Sequence, residues 1–385
     1  MARLVVVAGE VSGDHQGALL VEHLRRLRPD LTVAAAGGPR LASAGAELLL
    51  DTTRWGVIGY AEAYVRLPVF AARFWRLVRL IERVRPDLLL LVDFPGMNRE
   101  LVRRFSGRVP LVYYFPPQTY GRRGRSAARM AACAVRLLAT LPFEADSYRR
   151  AGADVVYVGH PAVDAARDVA AGGAPFRAAG EGERVVALLP GSRPGEVRSL
   201  LPPFLEAARG LLRAHRLRFV LPVASPHLHP VIARVLRDSP AEIQLVPGRA
   251  LEVMAGADAA VVASGTAAVE AACLGVPMVV AYRVSRLTEW IARRFVVTPG
   301  VGREGWSVPS IVLGRPIVPE LLQQEVTGAR IQAEVERLLF DEGVRGRMRA
   351  DLALVRERLG PPGVLGRAAR EVLRVLDSQV SATIR

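Results

Sequence analysis

The sequence predicts an α/β protein made of two doubly wound domains, each with a parallel sheet covered by helices on both faces. The chain has 385 residues, whereas single hydrophobic cores usually stop growing at ~250 to 300 residues. Short apolar runs alternate with longer amphipathic ones in both halves, which is typical of parallel sheets buried on both faces. Residues 166–183 are rich in Gly and Ala, so we interpret them as a linker between the halves.

Each apolar run predicts one buried strand. In the first half the predicted strands are residues 4–8, 31–36, 88–92, 111–114, 135–138 and 155–158. In the second half they are residues 185–189, 219–223, 242–246, 259–262 and 278–281. From residue 329 onward the pattern is helical and charged. The predicted organisation is an N-terminal domain (1–165), the linker, a C-terminal domain (184–328) and a helical tail (329–385) that packs across both domains or mediates oligomerisation, with a homodimer as one expected assembly.

The charge of the chain predicts acidic partners. All 52 basic residues are arginine, against 37 acidic residues, so the formal net charge is +15. The lack of lysine excludes a Schiff-base lysine and a Walker A loop. Nucleic acid, anionic lipid and a phosphorylated substrate would each suit this charge. The arginines are spread along the chain without interleaved aromatic residues, so we expect no nucleic-acid partner.

The cysteines and the hydropathy predict a cytoplasmic protein. Cys133 and Cys273 are isolated in apolar stretches, which provides neither a disulfide framework nor a metal-ligand cluster. No uncharged apolar run reaches the ~18 residues of a membrane-spanning helix, and no export signal is evident. We expect no metal ion and no other cofactor.

A glycine-containing turn follows the first predicted strand. Residues 9–14 (GEVSGD) precede a helix predicted from about His15. Ser12 and Gly13 would let the backbone turn closely around a ligand at the carboxyl edge of the sheet. A plain turn capped by Ser12 or Asp14 is an equally weighted alternative.

Two further turns of this kind lie in the second half. In LLPGSR (188–193) the Ser192–Arg193 end leads into a helix near Val197, where a diphosphate would meet both a guanidinium and the positive end of a helix dipole. In ASGTAAVE (263–270) Ser264 and Thr266 offer hydroxyls and Gly265 permits close approach. Glu270 could accept hydrogen bonds from sugar hydroxyls. A solvated arginine and an ordinary helix cap are the alternatives.

The motifs together resemble those of the lipid-A-disaccharide synthase family. The resemblance runs from about residue 4 to residue 324, in the family's order and spacing. The matching stretches are AGEVSGD (8–14), GGPRLASAG (37–45), GVIGYAEA (56–63), PFEADSY (142–148), VGHP (158–161), LLPGSRPGEV (188–197), SGTAAVEA (264–271), GVPMVVAY (275–282) and IVPELLQ (317–323).

The resemblance implies an inverting glycosyltransferase of GT-B architecture, with two Rossmann-like domains facing a cleft. Its reaction would transfer a diacylglucosamine from UDP-2,3-diacylglucosamine to 2,3-diacylglucosamine 1-phosphate and release UDP. The implied partners are therefore a UDP-activated acylated amino sugar, a phosphorylated glycolipid acceptor and the inner face of the cell membrane. Two alternatives stay open: a catalytically impaired relative that binds nucleotide or lipid, and a UDP-sugar epimerase.

Inverting transfer needs one general base for the acceptor hydroxyl. The family motif D-x-P-D-F-N reads Asp93-Phe94-Pro95-Gly96-Met97-Asn98 here, so the second carboxylate is replaced by Gly96. Asp93 is then the first candidate for the base, and a buried structural carboxylate is the equally weighted alternative. The other candidates are Asp14, Glu10 and His160, the last of which is more typical of a packed hinge residue.

The remaining site residues are assigned by loop position and by resemblance. The donor-binding candidates are Arg193, Ser192, Ser264, Gly265, Thr266, Glu270, Glu320 and Gln323. The acceptor-side candidates are Ser12, Gly13, Asn98, Gln118, Arg122 and Arg123. Two further stretches depart from the family: residues 117–123 replace its aromatic P-Q-V-W-A-W loop, and residues 308–310 (VPS) replace its L-P-N.

An amphipathic helix is predicted between Arg66 and Arg85. Its apolar face would carry Phe70, Phe74, Leu77, Val78 and Ile81, and its opposite face Arg73, Arg76, Arg79 and Arg83. Such a helix can lie in a membrane interface with arginines on headgroup phosphates, or it can be an ordinary core-facing helix. Trp75 lies outside the apolar face and slightly favours membrane contact.

Overall fold

A computed structural model describes residues 2–53, 55, 67–117, 124–133, 135–172, 176, 180, 182–238, 242–283 and 305–383. They form two compact units. The first contains Met1–Pro161 together with Gly363–Arg385, and the second contains Ala162–Pro362. Within the described residues, no helix combines the length and the apolar composition needed to cross a membrane.

The first unit is built on a parallel sheet of seven strands. These are β1 (Arg3–Ala8), β2 (Thr32–Gly37), β3 (Glu47–Asp51), β4 (Leu88–Val92), β5 (Leu111–Tyr114), β6 (Arg136–Ala139) and β7 (Val155–Tyr157). The strand order is β3-β2-β1-β4-β5-β6-β7. The chain therefore winds outward from β1 in one direction and then from β4 in the other, which places a topological switch point between β1 and β4.

Helices cover both faces of this sheet. They are α1 (Glu10–Leu27), α2 (Pro39–Ser43), α3 (Leu67–Val84), α4 (Pro95–Phe105), α5 (Gly124–Ala131), α6 (Pro142–Arg150) and α15 (Val364–Thr383). Alternate side chains of β1 enter different cores, because successive residues of a strand point to opposite faces. Leu4 and Val6 pack with α1 and α15, whereas Val5 and Val7 pack with α3 and α4.

The second unit repeats this plan with six parallel strands. These are β8 (Arg184–Leu189), β9 (Leu217–Val223), β10 (Ile243–Pro247), β11 (Ala259–Ala263), β12 (Met278–Tyr282) and β13 (Glu320–Leu322). Their order is β10-β9-β8-β11-β12-β13, so the switch point lies between β8 and β11. The helices are α7 (Ala162–Ala171), α8 (Pro194–Ala214), α9 (His229–Asp238), α10 (Ala250–Ala255), α11 (Thr266–Leu274), α12 (Val308–Leu313), α13 (Gly328–Phe340) and α14 (Glu342–Arg358). Single 3-10 turns are formed by Pro226–Leu228 and Gln323–Glu325.

The predicted pair of doubly wound domains is confirmed. Every predicted strand is present, with its ends displaced by no more than two residues. Two strands, β3 and β13, were not predicted, and both are edge strands. Edge strands are short and partly exposed, so they lack the continuous apolar run that marks the buried strands.

The structure divides the chain at other positions than the predicted ones. The predicted linker (166–183) begins inside α7, a helix that packs against α10 and α11 of the second unit. The predicted tail (329–385) is divided between the units: α13 and α14 belong to the second, whereas α15 packs against α1, β4 and β5 of the first. The sequence shows the apolar face of each helix but not which sheet covers it.

Candidate active site

The sequence motifs lie at the two switch points. Residues 9–14 follow β1 and residues 93–98 follow β4, the two strands that flank the switch point of the first sheet. Residues 190–193 follow β8 and residues 264–266 follow β11, which flank the switch point of the second sheet. Open α/β sheets bind their ligands beyond the carboxyl ends of the strands at these points.

Strained backbone is concentrated at the same edge of the first sheet. Glu10, Asp93, Phe94 and Phe115 have positive φ angles of 61°, 49°, 54° and 56° although none is glycine. Each follows the carboxyl end of β1, β4 or β5. Such conformations cost of order 1 to 3 kcal/mol each and persist mainly at functional sites.

The turn after β1 differs from its prediction. Helix α1 begins at Glu10 rather than near His15, so Ser12, Gly13 and Asp14 lie within its first two turns. Gly13 is buried against the end of β4, where an added Cβ would lie 3.6 Å from the Val92 carbonyl oxygen and 3.9 Å from Asp93 Cβ. The first turns of α1 therefore pack beside the end of β4, where a methyl group at Gly13 would make only ordinary van der Waals contacts.

The Asp14 carboxylate has a structural role. It is buried and accepts hydrogen bonds from the backbone amides of Gly38 (2.7 Å), Arg40 (3.1 Å) and Leu41 (3.2 Å). These amides belong to the start of α2, so Asp14 satisfies orphan donors of a helix other than its own. Both oxygens are held in this way, and α1 has Gly9 as its N-cap without a side-chain cap, so Asp14 does not cap its own turn. Its candidacy as the base stays a prediction.

Asn98 also holds backbone. Its side chain is buried, and Nδ2 donates to the carbonyl oxygens of Asp93 (2.7 Å), Val92 (3.3 Å) and Val7 (3.4 Å). The Tyr113 hydroxyl donates to the Asp93 carbonyl oxygen as well, at 2.8 Å. These contacts fix the strained turn that carries Asp93, so Asn98 stabilises the site; its predicted place on the acceptor side stays a prediction.

Sequence reasoning missed Glu144, although its PFEADSY stretch was recognised. Glu144 lies in the first turn of α6 and is 3% exposed. Burial, and secondarily the charge of Asp93, raises the pKa of Glu144 to about 8. The available signal was a glutamate in the first turn of the helix that follows β6.

His160 is buried after β7. Burial lowers the pKa of His160 to about 4, and its ring packs edge-to-face on Phe115 with centroids 5.6 Å apart. The imidazole is therefore neutral at pH 7. This environment agrees with the packed hinge residue weighed as the alternative to a proton carrier.

In the second unit, the turn after β8 is closed by Glu196. Its carboxylate accepts the amides of Ser192 (3.1 Å) and Arg193 (3.2 Å) and pairs with the Arg193 guanidinium at 2.8 Å. Arg193 is the N-cap residue of α8, and Gly191 has a φ of 108° that suits glycine. The residues predicted to bind the diphosphate therefore lie together. Their hydrogen-bond donors, however, are bonded to the Glu196 carboxylate.

The turn after β11 has the predicted strand–turn–helix geometry. The Ser264 amide donates to the Ala281 carbonyl oxygen (3.0 Å), and Gly265, at φ 144°, is the N-cap of α11 without a side-chain cap. Gly265 and Thr266 are exposed, whereas Ser264 and Glu270 are half-buried. A helix start of this kind favours an anion. Because β8 and β11 are neighbouring parallel strands, Arg193 and Ser264 lie beyond the same edge of one sheet.

Glu320 and Gln323 are fixed by their surroundings. The Glu320 carboxylate accepts the Trp306 amide (2.7 Å) and both the amide (3.1 Å) and the hydroxyl (2.6 Å) of Ser307. Gln323 is buried at a φ of 54°, and its carbonyl oxygen accepts the Arg283 guanidinium at 3.1 Å. Glu320 therefore anchors the start of α12, which the sequence did not indicate.

Several predicted residues lie outside the described part of the chain. These are Gln118, Arg122, Arg123 and the stretch 56–63. Among the described residues, no group of three His, Cys, Asp or Glu side chains is arranged to hold a metal ion.

The fold is shared with solved structures of a glycotransferase and of a UDP-bound protein. The glycotransferase of kitacinnamycin has a TM-score of 0.60 at 20% identity, covering 97% of this chain and 98% of that chain. The S. aureus MnaA–UDP co-structure has a TM-score of 0.60 at 15% identity, covering 91% of each. The two doubly wound units therefore define a protein of GT-B fold, with its sequence motifs at the switch points.

The family follows from the sequence comparisons. The family model described as Lipid-A-disaccharide synthetase matches residues 4–357. The Lipid-A-disaccharide synthase of Myxococcus xanthus (strain DK1622) is 41% identical over 380 residues, covering 97% of both chains. The chain belongs to the lipid-A-disaccharide synthetase family. Its members are UDP-sugar-dependent glycosyltransferases, so neither the impaired relative nor the epimerase is favoured.

Proposed function

We propose that this enzyme transfers a diacylglucosamine from UDP-2,3-diacylglucosamine to 2,3-diacylglucosamine 1-phosphate, with inversion at the anomeric carbon and release of UDP. The family match over residues 4–357 carries this proposal. The second unit would bind the UDP-sugar and the first unit the acceptor.

Arg193 and the start of α11 would hold the diphosphate of the donor. Their turns follow the neighbouring strands β8 and β11, and a guanidinium together with helix amides can stabilise the charge that develops on a departing diphosphate. Ser192, Ser264, Gly265 and Thr266 would contribute amides and hydroxyls, and Glu270 would accept from the sugar or ribose. Glu320 and Gln323 would shape the uridine side from the β13 segment.

Asp93 would be the general base on the acceptor side. Its strained backbone is held by Asn98 and Tyr113, and α1 packs beside it at Gly13. Glu10, at the start of α1, is the alternative base. Ser12, Gln118, Arg122 and Arg123 would contact the phosphorylated acceptor.

Helix α3 would bring the enzyme to the inner face of the cell membrane. Leu77, Val78 and Ile81 are buried in the core, so this part of the helix is an ordinary packing face. Val69 and Trp75 are 46% and 50% exposed, next to the exposed Arg76 and Arg79. Exposed apolar side chains beside arginines match the chemistry of an anionic lipid surface.

The reaction is tested by supplying both acylated substrates to the purified enzyme. The expected result is equal amounts of UDP and a tetraacyl disaccharide monophosphate, with neither product when the acceptor is omitted. Conversion of a UDP-N-acetylhexosamine without any acceptor, or UDP release that ignores the acceptor, would contradict the proposal. A donor lacking acyl chains is the control for the substrate class.

A further inference from the structure

Helix α3 has exposed apolar surface at the end that lies toward the site. The helix packs on the first sheet and leads directly into the amino end of β4, so the start of α3 lies toward the carboxyl edge, where the Asp93 turn is. In the second half of α3, Leu77 and its apolar neighbours are buried. In the first half, Val69 and Trp75 are about half exposed, and Phe70 is half-buried.

The Phe70 side chain reaches the Asp93 turn at Gly96. A Cβ added at Gly96 would have one neighbour within 4 Å among the described residues, the Cε2 atom of Phe70 at 4.0 Å. Gly96 is exposed and lies three residues after Asp93, in the first turn of α4. The Phe70 ring therefore borders an open space beside the proposed base.

Neither the backbone nor the packing requires glycine at position 96. Gly96 does not have a positive φ angle, and an added Cβ would make only an ordinary van der Waals contact. Glycine also destabilises a helix relative to alanine, so local stability would favour another residue here. The family motif has a carboxylate at this position, whereas this chain has neither a charge nor a side chain there.

The surface that leads to this space is aromatic. Phe70 and Phe74 are one helical turn apart, so their side chains are neighbours on α3, and both pack against the same core. The Phe74 ring packs edge-to-face on the Trp75 ring, with centroids 5.4 Å apart. An aromatic strip thus runs along α3 from the exposed Trp75 to Gly96.

A methylene chain is the class of ligand that suits this strip. Arg73 carries the one charge of α3 between Phe70 and Phe74, and its guanidinium lies over the Trp55 ring, 5.0 Å from the centroid. Phenylalanine rings and a glycine without a side chain offer apolar contact but no side-chain hydrogen bond, which favours an acyl chain over a sugar or a phosphate. The strip is also continuous with Trp75, which we assign to the membrane contact.

We propose that Phe70 and Gly96 form an acyl-chain subsite beside Asp93, in which a chain of the acylated acceptor lies against the Phe70 ring and across the first turn of α4. This inference rests on the proposed function, because it assigns part of the acceptor of that reaction. Gly96 is then a specificity-determining residue, since it admits the chain where the family motif has a carboxylate. Burial of one methylene group raises affinity up to about fourfold, so the subsite should favour long acyl chains.

The first test locates the acyl chain without any turnover. The full chain is irradiated with 2,3-diacylglucosamine 1-phosphate that carries a photoreactive diazirine in its acyl chains, and the cross-linked peptides are identified by mass spectrometry. We expect cross-links around Phe70 and in the first turn of α4. Excess unlabelled diacylglucosamine 1-phosphate should suppress them, whereas glucosamine 1-phosphate should not. Cross-links confined to other elements would overturn the subsite.

The second test measures the preference for chain length. Transfer is followed with detergent-solubilised acceptors that carry short or long acyl chains, so that membrane contact does not contribute, and the two KM values are compared as a ratio. The wild type should have a KM at least tenfold lower for the long-chain acceptor. Gly96→Asp, which restores the residue of the family motif, and Phe70→Ser should each reduce this preference several-fold without changing the Kd for UDP.

The matched control for the second test is Glu100→Gln. Glu100 belongs to the same helix as Gly96 and pairs with Arg103 on the surface, so this variant should retain the wild-type preference. A preference that Gly96→Asp and Phe70→Ser also leave unchanged would refute the subsite. If the wild type transfers to neither acceptor, the proposed function itself is wrong, and the cross-linking result still decides whether the acyl chain binds at Phe70 and Gly96.

Discussion

The Arg193 guanidinium lies 2.8 Å from a carboxylate oxygen of Glu196, one turn into α8. The other oxygen of the same carboxylate accepts the Ser192 and Arg193 amides. Glu196 therefore occupies the donors that we assign to the diphosphate of UDP. A diphosphate that binds at this turn has to compete with Glu196 for the guanidinium.

Removing the charge of Glu196 should tighten UDP binding. Glutamine can keep the capping hydrogen bonds to the backbone, but it holds the guanidinium less strongly. Glu196→Gln should lower the Kd for UDP a few-fold, which corresponds to about 0.5 to 1 kcal/mol for a partly exposed pair. Isothermal titration calorimetry measures this change.

The controls for this prediction come from the same unit. Arg193→Ala and Thr266→Val should each weaken UDP binding, because each removes a donor at the switch point. Glu183→Gln removes a carboxylate from the Arg218 pair and should leave the Kd unchanged. Weaker binding in Glu196→Gln, or unchanged binding in both Arg193→Ala and Thr266→Val, would exclude this turn as the diphosphate site.

Arg283 should be essential for the stability of the second unit. Pro203 has no amide hydrogen and lies inside α8, so the Ser199 carbonyl oxygen lacks its helical donor. Arg283 donates to that oxygen at 3.0 Å, and to the carbonyl oxygens of Gln323 (3.1 Å) and Val326 (2.6 Å). Arg283→Met should lower the free energy of unfolding by roughly 1.5 to 3 kcal/mol and weaken UDP binding through the displaced Gln323.

Urea denaturation of the two matched variants checks the role of Arg283. Arg315→Met removes an arginine that is paired with Asp351 on the surface, and exposed pairs contribute little. The Arg315 variant should therefore unfold at nearly the wild-type urea concentration. Equal midpoints for the Arg283 and Arg315 variants would show that the three carbonyl contacts are not stabilising.

The fold was readable from the sequence because buried parallel strands need nearly continuous apolar runs. Leu88–Val92 is one such run, and all five of its residues are buried. Glu47–Asp51 carries charged ends and is partly exposed at the sheet edge, so the same rule could not find it. The apolar face of α15 was equally visible, but nothing in its sequence distinguished the first core from the second.

The position of the site was more predictable than the role of each residue. Small residues and carboxylates at strand ends marked both switch points. The sequence does not show which backbone amides face a carboxylate, so the structural roles of Asp14 and Glu320 emerged only from the hydrogen bonds. Glu144 was missed because its interaction with Asp93 joins elements that are about 50 residues apart in the sequence.

Gly9 should tolerate no side chain. A Cβ at this position would lie 2.2 Å from the Phe94 ring, and Phe94 belongs to the strained turn after β4. Gly9→Ala should displace the ring, lower the free energy of unfolding by about 1 to 3 kcal/mol and reduce transfer. Gly346→Ala, at an exposed position of α14 where an added Cβ would meet no described side chain within 4 Å, should be neutral or stabilising. Denaturation that does not distinguish the two variants would contradict the packing.

The stability of the first unit should fall in mild acid. Burial lowers the pKa of His160 to about 4, and burial followed by the Arg40 charge lowers the pKa of His15 to about 4. Because the folded pKa lies below the unfolded value of 6.5, the stabilisation is present above pH 6.5 and is lost as the pH falls toward 4. For His160 the loss is roughly 3 kcal/mol. The slope of the free energy of unfolding between pH 6.5 and 4 should be smaller in His160→Asn but not in the exposed variant His227→Asn.

Membrane contact through α3 should depend on its exposed apolar residues and not on its core face. Val69 and Trp75 together present apolar surface beside arginines, so the double variant Val69→Ser, Trp75→Ser should bind anionic phospholipid vesicles at least several-fold more weakly. Folding should be little affected, because both side chains are about half exposed. Vesicle sedimentation at low and at high salt separates the apolar and the charge contributions, since salt screens the arginines.

The matched control is an exposed apolar residue outside α3. Leu354→Ser removes a similarly exposed apolar side chain from α14, and this variant should bind vesicles like the wild type. If both variants lose binding equally, general apolar exposure and not α3 mediates the contact.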